Sequence, residues 1–183
     1  MEKTLKARFW LMLSMVVGIA IMRVIPHPPN FTPVAAMALF GGACFDRKKW
    51  AFIIPLLAML LSDTALQLLF GWGFHNLMPV VYLSFIAIVG LGLWVRKNRK
   101  VSVIISASIA SSVLFFITTN FAVWGFSSLY PKTIQGLIAC YTMALPFFGN
   151  TLGGDLFYTA VLFGVFALAE QRIPLFARPQ TAS

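Results

Sequence analysis

The sequence predicts an all-α membrane protein built as a six-helix transmembrane bundle, and three observations lead to this fold class. Hydrophobic residues make up 60% of the chain, and its mean hydropathy is +0.87. Charged residues make up only 10%, against about 25% in a soluble globular domain. Apolar stretches recur along the whole chain, with basic residues in the short segments between them. We therefore expect residues 1–183 to form a single transmembrane domain.

Six apolar segments are candidates for helices that cross the bilayer, which takes about 20 residues each. The second is short and rich in Ala and Gly, so we expect it to be tilted or completed by its flanks. We expect residues 126–150 to form an outer connection that contains an interfacial helix. The first segment lacks a small-x-small cleavage site and is interpreted as a retained helix. The predicted spans are 9–25, 33–45, 50–70, 77–95, 101–125 and 151–170.

The orientation follows from the basic residues, which concentrate in the cytoplasmic loops of membrane proteins. With six spans, all but two of the 14 Lys and Arg residues fall on one side of the membrane. That side holds both termini, which are therefore predicted to be cytoplasmic in a multi-pass inner-membrane protein. The basic residues of this side are Lys3, Lys6, Arg8, Arg47, Lys48, Lys49, Arg96, Lys97, Arg99, Lys100, Arg172 and Arg178.

Side chains that suit ligand binding gather at the opposite, outer face. Ionisable residues within spans are costly and usually mark a site or an internal pair. We expect a cavity whose floor is formed by Asp63, Asn120 and Asp155. At its rim, Arg23 would hold a carboxylate or phosphate, while aromatic side chains would stack on a planar ring. The predicted ligand-binding residues are Arg23, His27, Asn30, Thr32, Asp63, Trp72, His75, Asn120, Trp124 and Asp155.

Structural interpretations of the same residues remain open. Arg23 fits an ion pair with either of the two aspartates within the spans, which would close the bundle. Trp72 and Trp124 fit the aromatic belt of a membrane interface, and the two histidines fit loop caps. Residues 23–33 are harder to explain by packing alone, because four prolines stiffen a loop that also carries Arg, His, Asn and Thr.

Several stretches of the sequence carry a resemblance to a known family. They are RVIPHPPNFTPVAAMALFGGA at 23–43, PLLAMLLSD at 55–63, TNFAVW at 119–124, and LPFFGN at 145–150 followed by Gly-Asp at 154–155. Together they resemble a family of uncharacterised bacterial membrane proteins related to the S components of energy-coupling factor (ECF) transporters. The resemblance covers nearly the whole chain.

The resemblance implies a six-helix protein of the bacterial inner membrane that captures a vitamin or similar micronutrient at the outer face. S components dock on a transmembrane coupling subunit with two ATPases through small residues of the first helix. Ser14 and Gly18 are the nearest match to those docking residues. A solitary transporter is the alternative, and neither the ligand nor the oligomeric state follows from the sequence.

Other function classes have weaker support in the sequence. No nucleophile elbow, zinc motif or phosphate loop is present, so we expect no enzyme, no cofactor and no metal site. Gly153-Gly154-Asp155 only approaches the signature of intramembrane aspartyl proteases. The net charge of +9 is explained by membrane orientation rather than by nucleic-acid binding. A ligand-free assembly or scaffold subunit and a small channel or facilitator remain alternatives, although the inner half of the spans is too apolar to favour a channel.

Overall fold

The structure is a computed structural model that describes residues 2–177, so the predicted cytoplasmic Arg178 lies outside the described residues. Within this range the chain is helical and contains no strand. Five of the helices, all but α2, are long and apolar enough to cross a membrane. The protein is therefore an all-α, multi-pass membrane protein. The elements are α1 (Glu2–Met22), α2 (Val34–Cys44), α3 (Lys48–Phe70), α4 (Met78–Val95), α5 (Val101–Phe126), α6 (Ile134–Arg172) and a 3-10 turn (Pro174–Phe176).

Local sequence explains where several helices begin and end. The run of prolines after Met22 stops α1, because proline lacks the backbone donor that a helix needs. Gly71 ends α3 in the left-handed conformation at φ 79°, and its N–H donates to the Gln67 carbonyl. Thr133 begins α6, because its hydroxyl accepts a hydrogen bond from the Gly136 N–H at 3.1 Å.

The short helix α2 lies at the centre of the fold. All 11 of its residues are buried, and it contacts α1, α3, α4, α5 and α6. At 1.5 Å per residue it is roughly 16 Å long, about half the thickness of the hydrocarbon core. Its flanks do not extend it, since residues 23–33 before it are not helical. The centre of the bundle is consequently filled by a helix at one end and by this proline-rich loop at the other.

Helices α2 and α4 approach so closely that their backbones touch at Gly42 and Gly92. A Cβ atom at Gly42 would overlap the Val89 carbonyl oxygen, and one at Gly92 would overlap the Leu39 carbonyl oxygen. Small residues permit this kind of close helix packing in membrane proteins. Glycine in the second apolar segment thus allows the close contact between α2 and α4.

We expect Gly42→Ala to destabilise the protein by about 1–3 kcal/mol, because the obstructing atoms belong to a backbone that cannot move cheaply. Thermal unfolding in detergent measures the effect. Gly90→Ala is the matched control on α4, since a Cβ there meets no atom within 4 Å. The control should be as stable as the wild type, and equal losses in both variants would contradict the close approach at Gly42.

Charged side chains lie at both ends of α2 with the signs that a helix dipole favours. At its N-terminus, the backbone N–H groups of Ala35 and Ala36 donate to the Asp155 carboxylate. At its C-terminus, Arg96 donates to the Gly42 carbonyl at 2.9 Å and Arg99 to the Ala43 carbonyl at 2.7 Å. An anion at the N-terminus and cations at the C-terminus stabilise a helix whose end groups are shielded from water.

The last helix differs from the prediction of a separate interfacial helix followed by a span at 151–170. Instead, α6 is one helix of 39 residues from Ile134 to Arg172, with Pro146 inside it. At 1.5 Å per residue it is about 58 Å long, well beyond the 30 Å hydrocarbon core. Proline is tolerated within membrane helices because neighbouring groups satisfy the freed carbonyl. The proline therefore does not divide α6.

The two ends of the described chain meet at one face of the bundle. Arg8 is 2% exposed and pairs with Glu170 at 2.7 Å. Its other terminal nitrogen donates to the Phe176 carbonyl at 2.7 Å. This buried cation therefore joins α1 to the end of α6 and to the turn that follows it. Both ends of the described chain lie on the same side, while the cytoplasmic assignment of that side stays a prediction.

Candidate functional site

A cavity of about 320 Å³ lies between α5 and α6, above the N-terminus of α2. We call it the α5–α6 cavity. Its volume is at the lower end of the range for small-molecule sites, about 300–1,000 Å³. It exists because α2 starts only at Val34, so that no helix fills the space between α5 and α6 beyond that point. The proline-rich loop contributes Asn30 and Thr32 to its wall.

Aromatic side chains form the main apolar walls of the α5–α6 cavity. Phe115 and Phe116 line it from α5, while Phe147 and Phe148 line it from α6. The rings of Phe116 and Phe148 lie 4.7 Å apart between centroids and are tilted by 46°. Rings on two facing helices offer surfaces on which a flat, unsaturated ligand can stack.

Asp155 closes the deep end of the cavity. Its side chain is buried, and Ser112 donates a hydrogen bond to Oδ2 at 2.7 Å. The backbone N–H groups of Ala35 and Ala36 on α2 also donate to this carboxylate. Asp155 therefore caps α2 and also faces the cavity. The structure places it where the sequence predicted a polar floor.

Further polar groups line the cavity between the aromatic walls and the loop. They include Thr119 and Asn120 on α5, with Thr151 on α6. The Asn120 amide donates to the Phe116 carbonyl at 2.8 Å, which orients the side chain along its own helix. No Lys or Arg is among the described residues that line this cavity. The site therefore presents aromatic faces, hydroxyl and amide groups and one buried carboxylate.

A second cavity, of about 460 Å³, lies on the other side of the proline-rich loop, and we call it the loop cavity. Arg23, His27 and Trp72 line it, and it shares Asn30 and Thr32 with the α5–α6 cavity. The Nε2 atom of His27 is buried there without a hydrogen-bond partner. Seven of the ten predicted residues thus line one or both of these two cavities, with the proline-rich loop as a common wall.

Arg23 and Asp63 form an internal ion pair. The Arg23 Nη2 atom lies 2.7 Å from Asp63 Oδ1, and the Tyr82 hydroxyl donates to Asp63 Oδ2 at 2.7 Å. Ser62 and the Met59 carbonyl accept from the other terminal nitrogen of Arg23. Asp63 lines neither cavity. The Asp63 carboxylate thus joins α1, α3 and α4, which is the ion-pair interpretation that the sequence left open.

Two predicted rim residues also lie outside both cavities. His75 accepts a hydrogen bond from the Leu77 N–H at 3.2 Å, so it caps the turn before α4. Trp124 donates through its indole N–H to the Pro131 carbonyl at 3.0 Å, which ties the end of α5 to the following loop. The contact of His75 matches the loop cap that the sequence left open, whereas the aromatic belt suggested for Trp124 stays a prediction.

The predicted docking residues occupy the outside of α1. Ser14 and Gly18 are exposed, and a Cβ atom at Gly18 meets nothing within 4 Å. The hydroxyl of Ser14 donates to the Leu11 carbonyl of its own helix at 2.8 Å. This face is therefore free of contacts with the rest of the described chain and can receive lipid or another protein.

Sequence reasoning missed the phenylalanines of the α5–α6 cavity. The available signal was a pair of Phe-Phe doublets, at 115–116 and 147–148, which lie within α5 and α6. Phenylalanines are common in membrane helices, so these doublets do not stand out in the sequence. Only the continuous course of α6 through Pro146 places the second doublet opposite the first. The second doublet lies in the stretch that was predicted to be a connection.

The fold and this site define a class, a multi-pass helical membrane protein with an aromatic-lined cavity at one end of the bundle. The chain belongs to a family of unknown function (DUF6580), whose match covers residues 3–178. No curated protein matches the sequence. No solved structure matches it either.

Proposed function

We propose that the protein is a substrate-binding membrane subunit for the uptake of a vitamin or similar micronutrient. The observation that carries this proposal is the α5–α6 cavity, which combines aromatic walls, several polar groups and a buried carboxylate. Sites for small molecules share this combination of apolar walls with a few oriented polar groups. The inner part of the bundle is filled by α2, all of whose residues are buried, which argues against a continuous channel.

The charge of the cavity favours a neutral or cationic ligand. No basic residue lines it among the described residues, and Arg23 is held by Asp63. An anionic group would therefore meet the Asp155 carboxylate without a compensating cation, which is unfavourable in a site of low dielectric. Phenylalanine faces attract cations, so a flat heterocycle with a positive or hydrogen-bond-donating group suits the walls. This proposal replaces the anion-binding role expected of Arg23.

The ligand would enter from the outside of the cell. The cavity lies at the end of the bundle opposite the Arg8–Glu170 pair and opposite the loops rich in Lys and Arg. Those loops mark the cytoplasmic side in the positive-inside rule. Release to the inside would need energy from other subunits, and the exposed face of α1 around Gly18 is the proposed contact for a coupling subunit with ATPases.

Filling the cavity is expected to prevent ligand retention. Ala144→Trp introduces an indole into the α5–α6 cavity, whose lining includes Ala144, and we expect at least about a tenfold loss of bound small molecule. Native mass spectrometry of the purified protein detects a co-purified ligand directly.

Ala139→Trp provides the control, because Ala139 lies on the same stretch of α6 but is exposed and lines neither cavity. The control should keep the ligand. A wild-type protein that retains no small molecule, or two tryptophan variants that retain it equally, would overturn the assignment of this cavity. A ligand-free scaffold subunit would then be the better interpretation.

A further inference from the structure

A groove at the basic end of the bundle has no part in the proposed ligand site. It has a volume of about 560 Å³ and lies between the first turns of α1 and the segment that leads from α2 into α3. We call it the basic groove. Its lining includes Leu5, Lys6, Trp10, Arg47 and Trp50.

Aromatic rings form the floor of the basic groove. Phe9 is at the centre, with ring centroids 5.8 Å from Trp10, 5.9 Å from Phe45 and 5.7 Å from Trp50, all in edge-to-face arrangements. Trp10 is 63% exposed. Tryptophan prefers the membrane–water interface, where its ring contacts acyl chains and its N–H reaches polar groups. The aromatic floor of the groove is therefore suited to contact the part of a lipid acyl chain that lies next to the headgroup.

The charged residues that line the groove are Lys6 and Arg47, together with the acidic Glu2 and Asp46. Lys6 pairs with Glu2 at 2.6 Å, but both side chains are largely exposed, so the pair is weak. Lys49 lies 4.7 Å from the centre of the Trp50 ring. Three further basic residues, Lys3, Lys48 and Lys49, are exposed next to the lining residues in the sequence, so the excess of positive charge lies beside the groove.

The basic residues of this end of the bundle serve two different purposes. Arg8, Arg96 and Arg99 bind groups of the protein itself, namely Glu170 and the carbonyls at the end of α2. By contrast, Arg47 forms no ion pair with another residue of the described range, and its side chain is exposed at the groove. Orientation of the protein accounts for both groups, but it does not account for the aromatic floor that Lys6 and Arg47 border.

We propose that the basic groove binds an anionic phospholipid from the adjacent leaflet. The phosphate group lies between Lys6 and Arg47, and the acyl chains pack on Trp10 and the Phe9 cluster. Basic pockets beside transmembrane helices on the cytoplasmic side attract anionic lipid headgroups in this way. The bound lipid would hold α1 against the start of α3. The basic groove is separate from the α5–α6 cavity, so this proposal does not depend on the micronutrient site.

The test measures lipid retention by the purified full-length protein with native mass spectrometry. The protein is mixed with phosphatidylglycerol and phosphatidylcholine of identical acyl chains. We expect the wild type to retain phosphatidylglycerol preferentially. Lys6→Gln combined with Arg47→Gln should reduce that preference by up to roughly 30-fold, at about fivefold per charge.

Two matched controls distinguish lipid binding at the groove from general electrostatic attraction between anionic lipid and this end of the bundle. Lys97→Gln combined with Lys100→Gln removes the same charge at the same end of the bundle, outside the groove, and should change the preference less than about twofold. Trp10→Ala should reduce retention of both lipids, whereas Trp94→Ala, at a similarly exposed residue, should not.

Any of four results would overturn the proposal. They are an absent preference for the anionic lipid, an equal loss in the two charge variants, displacement of the lipid by millimolar glycerol phosphate, and a dimer that disappears when the groove residues are changed. The third would show a site for free phosphate groups, and the fourth would show that a second copy of the chain covers the groove.

Discussion

Asp63→Ala is expected to destabilise the protein by about 3–5 kcal/mol, because it leaves the Arg23 guanidinium without its counter-ion. Arg23 is 11% exposed and Asp63 is 2% exposed, so water would replace the lost carboxylate only in part. The Tyr82 hydroxyl would lose its acceptor as well. Chemical or thermal unfolding in detergent measures the loss. Asp46→Ala, at an exposed aspartate, should stay within about 0.5 kcal/mol of the wild type.

A combined variant distinguishes an ion pair from a ligand-binding role. Arg23→Met with Asp63→Leu and Tyr82→Phe removes the whole polar cluster, and we expect it to recover most of the stability lost in Asp63→Ala. Ligand retention should survive in this variant, since Asp63 does not line the α5–α6 cavity. A stable Asp63→Ala protein that has lost its ligand would contradict the structural role and restore Asp63 to the binding site.

Asp155→Ala is the second substitution with a large expected effect, a loss of about 2–4 kcal/mol. It leaves the N–H groups of Ala35 and Ala36 without the Asp155 acceptor in a buried place, while the Ser112 hydroxyl keeps only the Ser108 carbonyl at 3.1 Å. It also removes the negative charge that complements the N-terminus of α2. Unfolding in detergent and hydrogen exchange of the α2 amides measure the effect.

Graded substitutions test the cap more closely. Asp155→Asn keeps one oxygen acceptor and should lose about half as much stability as Asp155→Ala, while Ser112→Ala should cost about 1 kcal/mol. Hydrogen exchange should increase in α2 and remain unchanged in the outer part of α6. Unchanged exchange in α2 would show that Asp155 does not cap that helix, whatever the overall stability.

The long apolar segments were predictable because their physical signal is simple. A helix that crosses a bilayer must present apolar residues on all sides for about 20 residues, so hydropathy alone locates it. The helical structure is therefore confirmed, and α1, α3, α4 and α5 overlap four of the six predicted spans. By contrast, α6 begins earlier than predicted, at Ile134, and α2 is shorter than a span. The break between α1 and α2 was also predictable, because the prolines at 26–29 prevent a continuous helix.

The course of α6 and the partners of the charged residues were not predictable from the sequence. Pro146 lies between two helical stretches, and sequence alone does not reveal whether neighbouring groups will satisfy the carbonyl that it frees. Arg96 and Arg99 look like ordinary cytoplasmic anchors, yet they bind the carbonyls at the end of α2. That role depends on the depth at which α2 ends, which follows from packing rather than from composition.

The sequence identified several residues of the candidate site, but it did not show how those residues are grouped. Asn30, Thr32, Asn120 and Asp155 do meet at one cavity. Arg23 and Asp63, which were predicted for the same site, bind each other, and neither lines that cavity. A single sequence identifies polar residues near one face of a membrane protein, and it does not say which of them will bind each other.

Accessibility of Thr119 is the most direct test of the central claim, that the space beyond the short α2 is a cavity open to the outside. Thr119→Cys and Lys97→Cys are made in a background without Cys44 and Cys140, and intact cells are treated with a membrane-impermeant thiol reagent. We predict that Thr119→Cys reacts in intact cells and loses that reaction when Ala144→Trp fills the cavity, whereas Lys97→Cys reacts only after lysis. A Thr119→Cys protein that reacts only after lysis would contradict the outward-facing site.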